Sequence, residues 1–418
     1  MIRVKTGLAA AAMVAATITG ALASRPAVAQ PAGQGAAALT LTPTERASLL
    51  PLKQAVDARN WAGASALLPA ARAATRSESS RYVLGRLELD IAVATQNRTA
   101  QRQAIDAIVA SRKASPEEQL ELYRQIAGIS YDAGSLNATE SALNRAIQIG
   151  PNDAESLSML AQLHRNRNNL TQALAYFQRA LRSADLAGRQ LPESRYRLAL
   201  ALAEQAGQRG VALEVARSFI AAFPTATNWR DVLIVFRSVG TVDAAQSLDA
   251  LRLQRAAGAL AGERDYLALA QALDQAGHAA EAKAVLDEGV TRRMVTAGDP
   301  APKALLASLG TRATRERSGA AAQLTQARAV TATAAQARAA GDTALSLGRY
   351  AEAVEMYRLA QTRVGEDPDL VATRLGIALA MAGQRAEAET AFRAATGARA
   401  ELAALWQVWL ARPATPSA

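Results

Sequence analysis

The chain has no cysteine, only two histidines, and few aromatic residues, which make up 4% of its 418 residues. Without cysteine it can form neither a disulfide framework nor a lipid-modified N-terminal cysteine, and an oxidising compartment would leave it unchanged. The two histidines, His164 and His278, cannot form a zinc site by themselves. We expect His164 to pack inside the protein and His278 to be solvated in a turn. No metal and no cofactor are therefore expected.

Motifs that carry chemistry are missing as well. The sequence has no Gly-x-Ser-x-Gly nucleophile elbow, no Gly-x-x-x-x-Gly-Lys phosphate loop and no Gly-x-Gly-x-x-Gly after a strand. The acidic run Glu366-Asp367-Pro368-Asp369 lacks the alternating ligands of a calcium loop, and we interpret it as a helix cap. A carboxylate pair of the glycosidase kind remains the enzymatic alternative, because such pairs have no sequence motif. We predict a protein that is not an enzyme.

Composition indicates an all-helical fold. Half of the residues are apolar, and alanine contributes strongly to that half. Alanine suits helices packed closely side by side, whereas strands favour branched and aromatic residues. Without residues 1–29 the chain has 44 basic and 37 acidic residues, with arginines scattered among glutamates. A nucleic-acid binder would concentrate basic charge with aromatic side chains, so no nucleic-acid partner is expected.

Residues 1–29 have the pattern of a secretory signal peptide. Arg3 and Lys5 precede an apolar run from Leu8 to Ile18, which Gly20 ends. The run is shorter than the roughly 20 residues that cross a bilayer, so an uncleaved anchor is the weaker alternative. We predict cleavage and a soluble protein in the periplasm, if the cell is Gram-negative.

Two cleavage sites are possible, and the segment after them lacks helical periodicity. Small-x-small sequences end at Ala23 and at Ala29, and we favour cleavage before Gln30. Residues 30–42 are expected to form a flexible linker. After cleavage no segment is long and apolar enough to span a membrane, so no transmembrane segment is expected.

A repeat of 34 residues begins clearly at Leu120 and again at Ala154. The same frame starts at Glu193, Ala226, Glu263, Ala334 and Asp369. A residue that tolerates left-handed backbone stands in nearly every turn between the two predicted helices of a repeat. These turn residues are Gly134, Asn168, Gly207, Gly240, Gly277, Gly348 and Gly383.

The last two repeats also carry small and aromatic residues at matched positions. Gly341 and Gly376 would let paired helices approach closely, and Tyr357 and Phe392 would fill the adjacent gaps. With the 34-residue period, these positions resemble the tetratricopeptide repeat family. The resemblance implies an all-α fold, an α-solenoid (right-handed superhelix) of stacked helix-turn-helix pairs that binds another macromolecule.

The repeat pattern weakens in three places. In the repeat that begins at Ala226, Asp249 and Arg252 occupy positions that the family keeps apolar, so we expect a register adjustment there. Residues 298–333 break the pattern, with short helical stretches over 304–309 and 320–330, and form either a hinge or a decayed repeat. The expected organisation is a signal peptide (1–29), a flexible linker (30–42), an N-terminal array (43–297), a degenerate helical connector (298–333), a C-terminal repeat pair with a capping helix (334–411) and a disordered tail (412–418).

The final predicted helix is apolar along one face. Its face residues recur at spacings of three and four, namely Leu402, Leu405, Trp406, Trp409 and Leu410. We interpret it as a capping helix that covers the last repeat, as stacked arrays require. A helix that binds a membrane surface or a partner is the alternative.

The favoured function is a scaffold or adaptor that binds a protein or peptide partner in the cell envelope. The alternative is a periplasmic component of an exopolysaccharide synthesis or export system, so polysaccharide is the other possible partner. In tetratricopeptide domains the groove is contacted by set positions of the first helix, and the resemblance places several arginines of this chain at those positions. Arginine donates two parallel hydrogen bonds to a carboxylate, so an anionic partner is expected. An ordinary solvated helix face is the competing interpretation. The candidate arginines are Arg124, Arg197, Arg230 and Arg338 at the fifth position and Arg165 and Arg237 at the twelfth.

Overall fold

The computed structural model describes residues 39–238 and 242–412. Throughout these ranges the regular elements are helices, and they stack in consecutive antiparallel pairs. The predicted all-α fold, an α-solenoid of tetratricopeptide-like pairs, is therefore confirmed. The chain divides after Arg189 into two compact units. The predicted domain boundaries at residues 297 and 333 stay predictions.

The first unit contains four helix pairs. Its helices are α1 (Pro43–Asp57), α2 (Trp61–Ala74), α3 (Glu78–Ala94), α4 (Arg98–Ala110), α5 (Pro116–Asp132), α6 (Leu136–Ile149), α7 (Ala154–Asn166) and α8 (Leu170–Leu186). Leucine, isoleucine and alanine side chains fill the space between them. Because alanine is small, paired helices come close enough to bury their shared face.

The second unit contains five pairs, a long single helix and a final helix. Its elements are α9 (Glu193–Gln205), α10 (Arg209–Ala222), α11 (Ala226–Ser238), α12 (Ala244–Ala256), α13 (Gly262–Gln275), α14 (Ala279–Thr291), α15 (Pro300–Arg328), α16 (Ala334–Ser346), α17 (Tyr350–Gln361), α18 (Pro368–Met381), α19 (Arg385–Ala394), a 3₁₀ turn (Gly397–Arg399) and α20 (Ala400–Ala411).

Side-chain caps decide where several helices begin. Thr42 and Glu45 form a reciprocal capping box at the start of α1. The buried Glu45 carboxylate also accepts hydrogen bonds from the Ser77 backbone N–H and the Ser80 hydroxyl, each at 2.8 Å, and so joins α1 to α3. Burial alone raises the pKa of Glu45, but these hydrogen bonds outweigh it and lower the pKa.

The turns within the pairs adopt left-handed backbone, as predicted. Asn168 has a φ of 59°, and Gly277 has a φ of 84°. Gly134, Gly207, Gly348 and Gly383 share this conformation. A helix that ends in this way can reverse direction within a few residues. Gly240, the remaining predicted turn glycine, lies outside the described residues.

Glycine also permits close packing in the last two pairs, as predicted. A Cβ atom added to Gly341 would lie 2.8 Å from the Tyr357 ring, and one added to Gly376 would lie 2.5 Å from the Phe392 ring. Both distances are too short for a real contact between carbon atoms. The glycines are therefore required for the observed spacing of α16 with α17 and of α18 with α19.

The expected short helical stretches between residues 298 and 333 are wrong. A single helix of 29 residues, α15, runs from Pro300 to Arg328, with Asp299 as its N-cap. The helix contains two interior glycines, Gly310 and Gly319. A glycine inside a helix costs only about 1 kcal/mol relative to alanine, and the cost is small when nothing crowds the position. Gly310 and Gly319 have no neighbour within 4 Å of an added Cβ.

The final helix, α20, contacts more of the second unit than the last pair alone. Its Trp406 stacks on Phe392 of α19, with ring centroids 5.9 Å apart. The indole N–H of Trp409 donates to the backbone carbonyl of Ala256, at the end of α12, over 3.1 Å. Helix α20 also packs against α10. The C-terminal residues thus return to helices some 150 positions earlier in the chain.

None of the helices over residues 39–238 and 242–412 is both long and apolar enough to cross a membrane.

Candidate functional site

One face of each first helix is defined by its fifth, ninth and twelfth repeat positions. These positions are four and three residues apart, so they lie on the same side of the helix. In α9, α11 and α13 of the second unit they are exposed or half-buried. We call this set the open face, which consists of Arg197, Ala201, Glu204, Arg230, Ile234, Arg237, Leu267, Gln271 and Asp274.

Two arginines of the open face bind carboxylates one repeat further along the chain. Arg197 donates to Asp231 over 3.1 Å, and Arg230 donates to Asp265 over 2.6 and 3.1 Å. The hydrogen bond with Asp265 raises the pKa of Arg230. Burial alone would lower the pKa of Arg197, but its bonds with Asp231 and Glu193 outweigh it and raise the pKa. These predicted partner-binding residues thus link α9, α11 and α13 to one another.

Arg237 differs from its neighbours because no carboxylate lies within ion-pair distance of it in the described part of the chain. Its Nε atom donates to the backbone carbonyl of Leu233 over 3.3 Å. Burial lowers the pKa of Arg237, and the charge of Asp265 opposes that effect only in part. Ile234 lies three residues earlier on the same face and is 40% exposed. The open face thus presents a desolvated cation beside apolar surface.

Two more of the six predicted arginines lie in the first unit, at the fifth position of the α5 repeat and the twelfth position of the α7 repeat. Arg124 contacts Glu121 on its own helix and donates to Asp153 over 3.4 Å. Arg165 donates to the side-chain oxygen of Asn166 over 3.3 Å and has no carboxylate partner in residues 39–189. Arg165 therefore keeps its charge available, as Arg237 does in the second unit.

A small open site separates Arg124 from the end of α5. Gly128, at the ninth position, has no atom within 4 Å of an added Cβ. Tyr131, at the twelfth, is 37% exposed, and its hydroxyl accepts a hydrogen bond from Asn166 over 2.6 Å. The α5 face can thus accommodate a side chain from a bound segment next to an aromatic ring.

The same positions are covered in the last two pairs. Five of the six residues at the fifth, ninth and twelfth positions of α16 and α18 are buried. We call this set the closed face, which consists of Arg338, Asp342, Leu345, Thr373, Ile377 and Ala380. Arg338, the sixth predicted arginine, is half-buried and donates to Asp342 and Glu366 over 2.6 and 2.8 Å. It is neutralised within the chain.

Buried charges accompany the closed face. Arg252 of α12 donates to Glu281 of α14 over 2.6 Å and to Asp249 over 3.1 Å. Arg374 of α18 donates to Asp342 of α16 over 2.7 Å, and its Nε lies 3.5 Å from Asp249. We call the buried cluster the ionic core, which consists of Asp249, Arg252, Glu281, Asp342, Arg374 and Arg399.

Ion pairing sets the pKa values in this core. Burial alone would raise the pKa of Asp342, but the charge of Arg374 outweighs it and lowers the pKa. Burial alone would lower the pKa of Arg252, and the charge of Glu281 raises it instead. Asp342 and Arg252 are therefore both charged at neutral pH.

The ionic core explains the irregular repeat that begins at Ala226. Asp249 and Arg252 stand at positions that the family keeps apolar, and in the structure both are buried among other charges. Sequence reasoning identified these two residues as exceptions but did not assign them to a site. Their partners Arg374 and Arg399 gave no signal, because they lie more than 120 positions away.

The expectation that His278 is solvated is wrong. The side chain is only 8% exposed, and it lies at the start of α14 beside the ionic core. Burial and the nearby Arg252 charge lower its pKa to about 4, so it is neutral at pH 7. Two of the charged groups near it, Asp342 and Arg374, come from much later in the chain. His164 packs internally as predicted, stacked on Tyr176 with ring centroids 5.3 Å apart.

The acidic run near residue 367 caps α18, as predicted. Asp367 accepts a hydrogen bond from the backbone N–H of Asp369 over 3.0 Å. Within residues 39–238 and 242–412, no group of three or more histidine, aspartate and glutamate side chains is placed to hold a metal ion.

Stacked antiparallel helix pairs with left-handed turns define a class of repeat protein whose surfaces bind other macromolecules. Residues 154–185 and 339–363 match the tetratricopeptide repeat family model. These two segments, one in each unit, are similar to tetratricopeptide repeats. No curated protein matches the sequence.

Several solved structures resemble the chain at low sequence identity. The crystal structure of MamA protein is 13% identical, with 42% of this chain and 90% of that chain covered and a TM-score of 0.31. A tetratricopeptide repeat protein from Parabacteroides merdae is 13% identical (70% and 99% covered, TM-score 0.24). Pseudomonas aeruginosa pilF is 14% identical (56% and 91% covered, TM-score 0.29). At these values the three structures carry no information about function.

Proposed function

We propose that the protein is a non-enzymatic scaffold that binds a protein or peptide partner in the cell envelope, through the open face of α9, α11 and α13. The observation that carries the proposal is Arg237, a half-buried cation without a carboxylate partner in the described residues. A charge that is partly desolvated and unpaired gains free energy when a ligand supplies the opposite charge. The adjacent Ile234 offers apolar contact to the same ligand.

The partner that fits this face has a carboxylate next to an apolar side chain. Arg197 and Arg230 are already bound to the chain's own aspartates, so they contribute rigidity rather than free charge. An acidic segment or the C-terminal carboxylate of a peptide has the required chemistry. The predicted set of six arginines thus reduces to one principal contact on this face, Arg237, with Arg165 in the equivalent role in the first unit.

A photo-crosslinking amino acid at position 234 tests the surface directly. Expressed in the native host, the Ile234 variant should form a discrete crosslinked species, and Arg237→Glu should abolish it. The matched control carries the crosslinker at Ala321, an exposed position of α15. Equal crosslinking from position 321, or a species insensitive to Arg237→Glu, would show that the open face is not the binding surface.

Once the partner is isolated, affinity measurements test its chemistry. Arg237→Ala should weaken binding by about 1.5 to 3 kcal/mol, the usual contribution of a hydrogen bond to a charged group. Raising the salt concentration should weaken binding in the wild type and have less effect in the variant. A crosslinked species that resists protease and is removed by a glycosidase would instead identify a polysaccharide partner and contradict the proposal.

Location in the envelope rests on residues 1–29, which lie outside the described residues. The basic start, apolar run and small-x-small sites support export. Intact-mass measurement of protein from the native host should show loss of the residues up to Ala23 or Ala29. Full-length protein found in the cytosol would contradict export, and the crosslinking at position 234 would still decide the binding face.

A further inference from the structure

Helix α12 is buried on every side. Seven successive residues, from Leu248 to Gln254, are buried. The second helix of an ordinary pair exposes one face to solvent, as α19 does with Glu387 and Glu389. Helix α12 also contains Asp249 and Arg252, and burial of charged residues in a helix requires charged neighbours on the facing elements. Another surface therefore covers the side of α12 that would otherwise face solvent.

That covering surface comes from the C-terminal repeats. Arg374 of α18 contacts both Asp249 of α12 and Asp342, the ninth-position residue of the closed face. Gln246 of α12 donates to the backbone carbonyl of Ala398 over 2.7 Å. The indole of Trp409 contacts the end of α12. Helix α12 thus lies beside the closed face, on the helix surface that is free in α9, α11 and α13.

The charges that hold α12 there are only partly satisfied. Asp249 Oδ2 lies 3.5 Å from Arg374 Nε and 3.7 Å from Arg399 Nη1. None of these three atoms has a hydrogen-bond partner among the described residues, although all three are buried. Buried charges that lack hydrogen bonds gain little from their mutual attraction once the loss of water is included. A carboxylate with better geometry could compete for the two arginines.

We propose that α12 is an internal ligand of the closed face, and that a partner helix with a carboxylate flanked by leucines displaces it. The sequence of α12 defines the chemistry of this competitor: Leu248-Asp249-Ala250-Leu251 places the acid between two apolar anchors. Arg374 and Arg399 receive the carboxylate, and the leucines replace Leu248 and Leu251 in the apolar cluster that these two share with α13 to α15. The proposal rests on the proposed function, because it assigns a second, normally occupied, surface to the same scaffold.

A labelled synthetic peptide with the sequence of residues 243–257 is the probe. Asp249→Arg in the full-length protein places a third cation against Arg374 and Arg399 and should release α12. The variant should therefore bind the peptide at least tenfold more tightly than the wild type, as measured by fluorescence anisotropy. The matched control, Asp106→Arg, reverses an exposed charge in the first unit and should leave the affinity unchanged.

A peptide in which the residue equivalent to Asp249 is arginine should not bind to either protein. Equal binding of the two peptides, or equal affinity of wild type and Asp249→Arg, would overturn the proposal. Circular dichroism shows whether the variant has kept its helices. The measurement does not involve the open face. A negative peptide-binding result therefore does not change the meaning of the crosslinking at Ile234, and a negative crosslinking result does not change the meaning of the peptide binding.

Hydrogen exchange on the wild type decides the matter if Asp249→Arg does not fold. At saturating peptide, backbone amides of residues 244–256 should exchange at least tenfold faster, because the peptide holds the closed face and α12 is free. Amides of α13 should keep their rates. Unchanged exchange in α12 at a peptide concentration that saturates the anisotropy signal would show that the peptide binds elsewhere, and would refute displacement.

Discussion

The open face and the closed face occupy the same repeat positions of helices in one unit, yet five of the six closed-face residues are buried and none of the open-face residues is. On the open face Arg197 and Arg230 each bind an aspartate of the next repeat and remain partly exposed. On the closed face Arg338 and Asp342 pair with each other, and the ionic core buries Asp342. The two faces differ because α12 and the C-terminal residues lie beside the closed face. Repeat register decides which way a residue points, and later elements decide whether it stays accessible.

The two faces also differ in how their charges are balanced. Arg197 and Arg230 of the open face are paired along the array, so each of their ion pairs joins neighbouring first helices. The ionic core joins α12, α14, α16 and α18, which include first and second helices of different pairs. An ion pair at a surface contributes little to stability, whereas removing one partner from a buried cluster leaves an unpaired charge. The two faces should therefore respond very differently to substitution.

The largest effect is expected from Arg374→Met. The substitution leaves Asp249 and Asp342 buried without their shared cation, and the free energy of unfolding should fall by about 3 to 5 kcal/mol. Urea denaturation of the full chain measures it. Arg393→Met removes an exposed pair with Glu389 and should cost less than about 1 kcal/mol. Similar losses in the two variants would show that the ionic core is no more important than surface charge.

Gly376→Leu tests the close packing under the closed face. The new side chain would meet the Phe392 ring, so we expect a loss of about 1 to 3 kcal/mol from overpacking. Gly310→Leu, in the uncrowded part of α15, should instead gain up to about 1 kcal/mol from better helix propensity. Thermal unfolding of both variants measures the difference. An unchanged midpoint for Gly376→Leu would contradict the frame assigned to α18 and α19.

Acidification should weaken the second unit through His278. Its folded pKa of about 4 lies below the ordinary value of 6.5, so the unfolded chain takes up the proton first as pH falls. The stabilising contribution is complete above pH 6.5 and decreases below it. Between pH 7 and 5.5 the loss should be about 1 kcal/mol. Charged groups on four helices act on this histidine: Arg252 of α12, Glu281 of α14, Asp342 of α16 and Arg374 of α18.

His278→Gln isolates that contribution, because glutamine does not titrate. The variant should lose about 1 kcal/mol less than the wild type over the same pH interval, as measured by urea denaturation at each pH. Carboxylates titrate in both proteins and cancel in the difference. Identical pH dependence in the two proteins would mean that His278 is accessible to protons in the folded state.

The smallest effect is expected on the open face. Arg237→Ala breaks no ion pair, so the free energy of unfolding should change by less than about 0.5 kcal/mol. Arg230→Ala leaves Asp265 buried without its cation and should cost about 1 kcal/mol or more. A loss for Arg237→Ala as large as that for Arg230→Ala would assign Arg237 a structural role and remove the main support for it as a partner contact.

Local patterns in the sequence predicted the fold well, because each repeat depends mainly on its neighbours. The turn at Gly277 and the close approach of Gly376 to Phe392 follow from spacing alone. Burial of His278 and the pairing of Asp249 with Arg374 could not be predicted in this way, since both depend on contacts between distant repeats. The arginine positions were found from the repeat frame, but the carboxylates that neutralise Arg197 and Arg230 became visible only in the structure.

The return of α20 to α12 has a consequence for how the chain folds. The hydrogen bond from Trp409 to Ala256 closes a loop of 153 residues, whereas the bond from Tyr357 to Asp342 within one helix pair closes a loop of 15. Long loops lose more entropy on closing, and non-local contacts slow folding. In a chain synthesised from its N-terminus, the pairs of the first unit can form as they emerge. Helix α12 can bury Leu248 and Leu251 once α13 to α15 are made, but its buried Asp249 stays without Arg374 and Arg399 until the end of the chain is synthesised.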